Sequence, residues 1–159
     1  MKSSFRFETY KVDGLVFEVK RIVGLLEFAG NIDSNLWKLS ITVREPLYSQ
    51  SQKKYIGGLD TSLCLFPPEV KTEDKNEALI KLDIGIAGIF SAVEEGGFEK
   101  EVVENLVRVQ IPAILFPYVR ATITSLLANA GFGSVILPLV NMTELAKQAV
   151  GEVVIKTIE

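Results

Sequence analysis

The pattern of apolar and polar positions changes its period near the middle of the chain. In the first half the two alternate with a period of two, the spacing of strands with one face covered and one face wet. Phe5, Phe7 and Thr9 alternate with Arg6, Glu8 and Tyr10, and beyond an Asp13-Gly14 turn Leu15, Phe17 and Val19 continue the alternation. The clearest such segment is 37–43, where Trp37, Leu39, Ile41 and Val43 alternate with Lys38, Ser40 and Thr42 before Pro46 ends it. Tyr55 to Phe66 predicts a third strand, weakened by Gly57-Gly58 and stopped by Pro67-Pro68, and 69–77 reads as a charged loop. Ile80, Leu82, Ile84 and Ile86, with Lys81, Asp83 and Gly85 between them, predict a fourth. Strands joined by polar turns favour antiparallel pairing with one covered face.

The second half is helical. Phe98, Val102, Leu106 and Val109 share one helix face, with glutamates on the other, until Pro112 interrupts. A second helix runs from about Ala113 to Ala130, with Pro117 near its first turn, where a missing amide costs least. Asn129-Ala130-Gly131 reads as its C-terminal cap. Asn141, with Glu144 three residues on, fits a capping box for a short final helix ending at Val150. Strands first and helices last predict an α+β domain: a four-stranded antiparallel sheet with helices packed on one face. The helix from 113 to 130 is apolar on almost every side, so it expects burial on more than one side.

Length and charge narrow the classes. The 159 residues predict one domain, 1–159, able to bury about two-thirds of its unfolded surface. A net charge of -3 gives no broad attraction to phosphate backbones or anionic lipid, so neither nucleic acid nor a membrane is the expected partner. Mean hydropathy of +0.28 is high, yet the strongly apolar stretch from Ile111 to Val119 is too short to span a bilayer. That excess points to buried interfaces or an apolar binding surface. The start lacks the apolar core of a secretory signal and Cys64 is alone, which fits a reducing cytoplasm.

Catalytic chemistry is thin. With no histidine, the chain lacks the usual general base, the usual partner of a serine or cysteine nucleophile, and the commonest zinc ligand. One cysteine cannot build a structural zinc site, so no metal or cofactor is expected. Gly57-Gly58, Gly85 to Gly88 and Gly131 to Gly133 read as turns, bulges or caps, because none has phosphate-loop spacing. Glu94, Glu95, Glu99, Glu101 and Glu104 read as a solvated helix face, Asp83 as an exposed strand residue, and Cys64 as a buried small hydrophobe. The chain does not read as an enzyme. What remains is apolar: Leu25, Leu26 and Phe28, near Trp37, read either as packing onto the core or as one wall of a groove. On the second reading Met142, Leu145 and Ala149 on the last helix are the expected other wall, a lining suited to capturing many apolar segments.

The run Ile114-Leu115-Phe116-Pro117-Tyr118-Val119-Arg120, followed by Ile123-Thr124-Ser125-Leu126 and later Leu137-Pro138-Leu139-Val140-Asn141, resembles the SecB family of protein-export chaperones. Gly88-Ile89-Phe90 upstream is similar to the strand before that family's long helix, and Phe5 to Glu18 to its first strand. The likeness is specific over 88–145, loose over 5–18 and absent over 45–77. It implies an ATP-independent holdase that keeps unfolded preproteins in apolar grooves between the first strand connection and the last helix. It also implies a homotetramer, a dimer of dimers with long helices at the centre. That places Leu115, Tyr118, Val119, Thr122, Ile123 and Leu126 at an oligomer interface. Glu18 matches one acidic residue that docks the motor SecA, but the acid expected four residues earlier falls on Gly14. A SecB-like chaperone dedicated to an antitoxin of a toxin–antitoxin pair is the alternative. A structural or adaptor oligomer without general client capture is another.

Overall fold

The computed structural model describes residues 5–20, 37–67, 77–92, 100–133, 137 and 155–158. Its strands are β1 (Phe5–Val19), β2 (Trp37–Val43), β3 (Leu47–Ser49), β4 (Lys54–Leu65), β5 (Ile80–Ala92) and β6 (Lys156–Ile158). Its helical run consists of α1 (Lys100–Asn105), a π-helical segment (Leu106–Gln110) and α2 (Ile111–Asn129). One sheet is formed in the order β1-β5-β4-β3-β6, with β2 also paired to β4. The α+β class and the antiparallel pairing of the four long strands agree with the sequence. The two additions, β3 and β6, have three residues each, too few for a period to register, and their parallel pairing makes the sheet mixed.

One face of the sheet carries the core. Leu59 and Leu63 of β4 pair with Ile86 and Leu82 of β5, so all four point to the same side. There they meet Ile111, Leu115, Val119, Ile123 and Leu127, spaced four residues apart down one side of α2. Among the described residues, one buried polar atom has no hydrogen-bond partner, the Thr61 hydroxyl, and it lies on this same inner row opposite Ile84.

β1 departs from the sequence reading at Asp13-Gly14. No turn forms there: β1 runs unbroken along β5, with register shifts between Phe7 and Thr9 and between Val12 and Gly14. Each shift inserts a residue and so exchanges the faces of the side chains that follow. The inward row therefore reads Phe7, Tyr10, Val12, Leu15, Phe17, Val19, opposite Phe90, Gly88, Ile86, Ile84, Leu82 and Ile80. Strict alternation had put Tyr10 on the polar side. The first bulge turns it inward, where its ring stacks on Tyr118 with centroids 4.2 Å apart.

The strand glycines are neither turns nor caps. A Cβ on Gly57 would lie 2.7 Å from the Ile111 side chain, and one on Gly88 would lie 2.7 Å from Leu115. They are the places where α2 comes down onto the strands, too close for any side chain.

Pro112 does not interrupt the helical run. It stands at the start of α2, where a missing N–H is tolerated, and the preceding π turn, with Ile111 N–H donating to the Leu106 carbonyl, leads into it. Pro117 lies well inside α2 on its exposed side rather than in a first turn. The run Glu101–Asn129 is thus long and apolar enough, by length and composition, to cross a membrane, at mean hydropathy 1.4. Packing on the sheet accounts for much of that apolarity. The cap is as the sequence predicts: Gly131 adopts φ 95°, Phe132 N–H donates to the Leu127 carbonyl, and Gly131 N–H to that of Ala128.

Candidate peptide-binding surface

α2 covers the middle of the sheet and leaves the inward rows of the flanking strands incompletely covered. On β1, Val12 and Leu15 are 42% and 50% exposed, although they pair with the buried Ile86 and Ile84. On β2, the inward Trp37, Leu39, Ile41 and Val43 are only half-buried while packing against the core. Apolar side chains in rows along a strand, rather than scattered singly, are what a sheet offers to an apolar partner. Trp37 is the one groove residue expected from sequence that lies among the described residues. Leu25, Leu26, Phe28, Met142, Leu145 and Ala149 lie outside them. Val12 escaped sequence reasoning because the first bulge moves it to the inward row, whereas Leu15 was placed on the apolar side but not as a binding residue.

The six residues expected at an oligomer interface divide into two sets. Leu115, Val119 and Ile123 are fully buried against the chain's own sheet. Tyr118, Thr122 and Leu126 stand half-buried at the edge of that contact, with Tyr118 held between Phe7 and Tyr10. The outward side of α2 carries Ala113, Pro117, Ala121 and Ser125, all exposed. An all-round apolar helix predicts burial on more than one side, but not which side its own sheet takes.

The outer face of the sheet has a different chemistry. Arg44, just past β2, lies across it and is clamped between two carboxylates. Its Nη1 and Nη2 donate to Asp13 at 2.6 and 2.8 Å, and its Nε and Nη2 to Asp60 at 2.9 and 2.7 Å. Asp13 is the residue left without a partner by the second β1 bulge, and Asp60 sits on β4. The guanidinium therefore ties the edge strand to the sheet centre, over Gly85 of β5. A Cβ at Gly85 would overlap Nη2, and one at Gly58 would lie 2.7 Å from the Arg44 Cδ. Arg44 holds the Asp13 carboxyl below its usual range by hydrogen bonding and charge, and the two carboxylates push Arg44 upward in turn.

A hollow of about 500 Å³ opens beside this clamp, lined by Ser40, Thr42, Ser62, Asp83 and Val16 among others. Its lining mixes these charged and hydroxyl groups with Leu15, Val16 and Ile84. Asp83 is partly covered and lies 3.4 Å from Lys81, not free in solvent as the sequence suggested. Glu18 is exposed on β1, opposite Lys81 in register, so the outer face mixes both signs of charge. Cys64 is buried, in a small cluster with Phe66 and Ala78.

Known proteins bear out the resemblance. The family described as preprotein translocase subunit SecB matches residues 63–152, more than half of the chain, and reaches upstream of the stretch whose motifs were legible. The chain belongs to the SecB family. It is 33% identical over 133 residues to the protein-export protein SecB of Anaplasma phagocytophilum, covering 77% of each. It is 44% identical over 66 residues to that of Saccharophagus degradans, covering 42% of this chain and 38% of that one. The chain spans about half the length of most curated relatives it matches. In fold it is similar to the SecB-like chaperone of Mycobacterium tuberculosis, solved in complex with a ChAD peptide from the HigA1 antitoxin. The TM-score is 0.63 at 10% identity, over 87% of this chain and 91% of that one.

Proposed function

We propose that this protein is a non-catalytic, ATP-independent holdase that binds unfolded polypeptides on the apolar rows either side of α2. The observation that carries this reading is the open inward face: Val12 and Leu15 on one flank, Trp37 to Val43 on the other. Family membership supports the same reading. Rows of apolar side chains on strands fit an extended, sequence-tolerant client, and many weak contacts along one long chain add by avidity. Leu25, Leu26 and Phe28, with Met142, Leu145 and Ala149, extend the surface into a groove in this proposal. The exposed side of α2, with Tyr118, Thr122 and Leu126 at its margin, then packs against further copies in a tetramer. The client is a preprotein destined for export.

A second reading, a chaperone dedicated to one antitoxin, is supported by the outer face. There a single Arg44 guanidinium ties up the Asp13 and Asp60 carboxylates and Glu18 faces Lys81, so the outer face offers few free acids to a motor such as SecA.

The test is to dilute a chemically unfolded preprotein into ATP-free buffer with increasing amounts of this protein and follow light scattering. Suppression saturating near one client per four chains is expected. Continued aggregation with a well-folded oligomer present overturns general capture and leaves the dedicated role. Phe28→Asp should remove suppression without unfolding the chain, as read by circular dichroism.

A further inference from the structure

The sheet ends, on the β3 side, in a strand taken from far away in the sequence. β6 pairs with β3 in parallel register, Leu47 with Lys156, Tyr48 with Thr157 and Ser49 with Ile158. Lys156 N–H donates to the Pro46 carbonyl at 3.2 Å, and Gln50 N–H donates to the Ile158 carbonyl at 3.1 Å. Among the described residues β6 has few other contacts: Lys156 and Thr157 are exposed, Ile158 is half-buried, and Ile155 just before it packs against the main core. By contrast β1 is registered against β5 through thirteen residue pairs. β6 makes three, in the parallel geometry that is weaker per residue. An edge strand offers a row of backbone donors and acceptors that any extended chain can use.

We propose that β6 is a resident stand-in at a strand-docking edge, and that an extended segment of client polypeptide displaces it to pair with β3. The proposal rests on the holdase reading and adds a specific contact to it. Its chemistry suits a sequence-tolerant binder. Main-chain hydrogen bonds, accepted by the Pro46 carbonyl and donated by the Gln50 N–H, supply affinity whatever the client's side chains, and the half-buried Tyr48, packed on Tyr55 at 4.7 Å between ring centroids, offers an apolar flank. Because β6 belongs to the same chain, it competes at high effective concentration. The edge is thereby kept from pairing with another copy, while the client's apparent affinity falls by the fraction of time the edge is closed.

Two variants with opposite expected signs test this on the full chain. Leu47→Cys with Lys156→Cys places thiols on registered partners, so oxidation locks β6 in place; Cys64 is buried and does not compete. Lys156→Pro removes the N–H that Pro46 accepts and frees the edge. The probe is reduced, carboxymethylated α-lactalbumin, permanently unfolded and fluorescently labelled, with binding read by anisotropy. The proposal expects oxidation of the double-cysteine protein to weaken binding at least fivefold, reductant to restore it, and Lys156→Pro to tighten it two- to fivefold. Equal binding by oxidised and reduced forms, with Lys156→Pro unchanged, overturns the displacement and leaves the holdase reading intact. No binding by any form, wild type included, overturns the holdase reading and this proposal with it.

Discussion

On the inner face of the sheet Gly57 and Gly88 lie under α2; on the outer face Gly58 and Gly85 lie under Arg44. All four leave room for something that crosses the strands, but the crossings differ in kind. Inside, apolar side chains press onto backbone with water excluded, and each lost contact leaves a void or a clash. Outside, one guanidinium spans two carboxylates that remain partly wet, with side-chain exposures of 29% for Arg44, 42% for Asp13 and 55% for Asp60. The inner crossing should therefore dominate stability. The outer one should mainly fix the position of β1, the strand that carries Val12 and Leu15.

Truncating the inner contact is the most severe way to break that contrast. Leu115→Ala, at a fully buried position, should cost about 2–5 kcal/mol in urea unfolding. Gly88→Ala should cost about 1–3 kcal/mol by overpacking against Leu115. If the two changes are combined, the loss should be less than additive, because the smaller residue at 115 relieves the clash.

Thr61 sharpens the comparison in the other direction. Its hydroxyl is a polar group on the dry face with no partner, so Thr61→Val should stabilise the protein by about 1 kcal/mol, seen as a raised Tm. A loss of stability would mean that the hydroxyl is satisfied.

The outer clamp should respond more weakly. Gly85→Ala should cost about 0.5–1 kcal/mol, as a partly exposed ion network is worth, and almost nothing once Arg44 is alanine. That cost should shrink further in 1 M salt, whereas the Gly88→Ala cost should not. The smallest effect is in pH. Arg44 lowers the folded-state pKa of Asp13, so its contribution is fully present above the unfolded carboxylate value of 3.8. It fades as pH falls through the lower folded value. The stability difference between wild type and Arg44→Ala should be flat from pH 7 to about 5 and close up as acid is added below about 4.

The elements that the sequence revealed are those with an uninterrupted period. The 37–43 strand appears with the bounds its alternation predicts, and the Gly131 cap forms as its residues suggest. The second β1 bulge was hidden because Asp-Gly is a turn signal in one context and a bulge in another, and only the partner strand decides between them. The glycines of β4 and β5 read as turns, bulges or caps, because what fills the space above them comes from residues far away in the sequence. Arg44 illustrates the same limit: Asp13 lies 31 positions before it and Asp60 16 after, with no local spacing to connect the three. The composition of the helix from 113 to 130 predicted burial on more than one side, and the fold assigns Leu115, Val119 and Ile123 to the sheet. Most of the expected groove, Leu25 to Phe28 and Met142 to Ala149, lies outside the described residues. Trp37 is its one member among the described residues.

The central claim is that the half-open inward face captures unfolded chains and ignores folded ones. The most direct measurement is equilibrium binding of one slow-folding client, presented in its unfolded and its native form, by fluorescence anisotropy without nucleotide. The account predicts saturable binding of the unfolded form, weakened at least tenfold by Leu15→Asp, and no binding of the native form. Failure to bind the unfolded client, or equal binding of both forms, would contradict it.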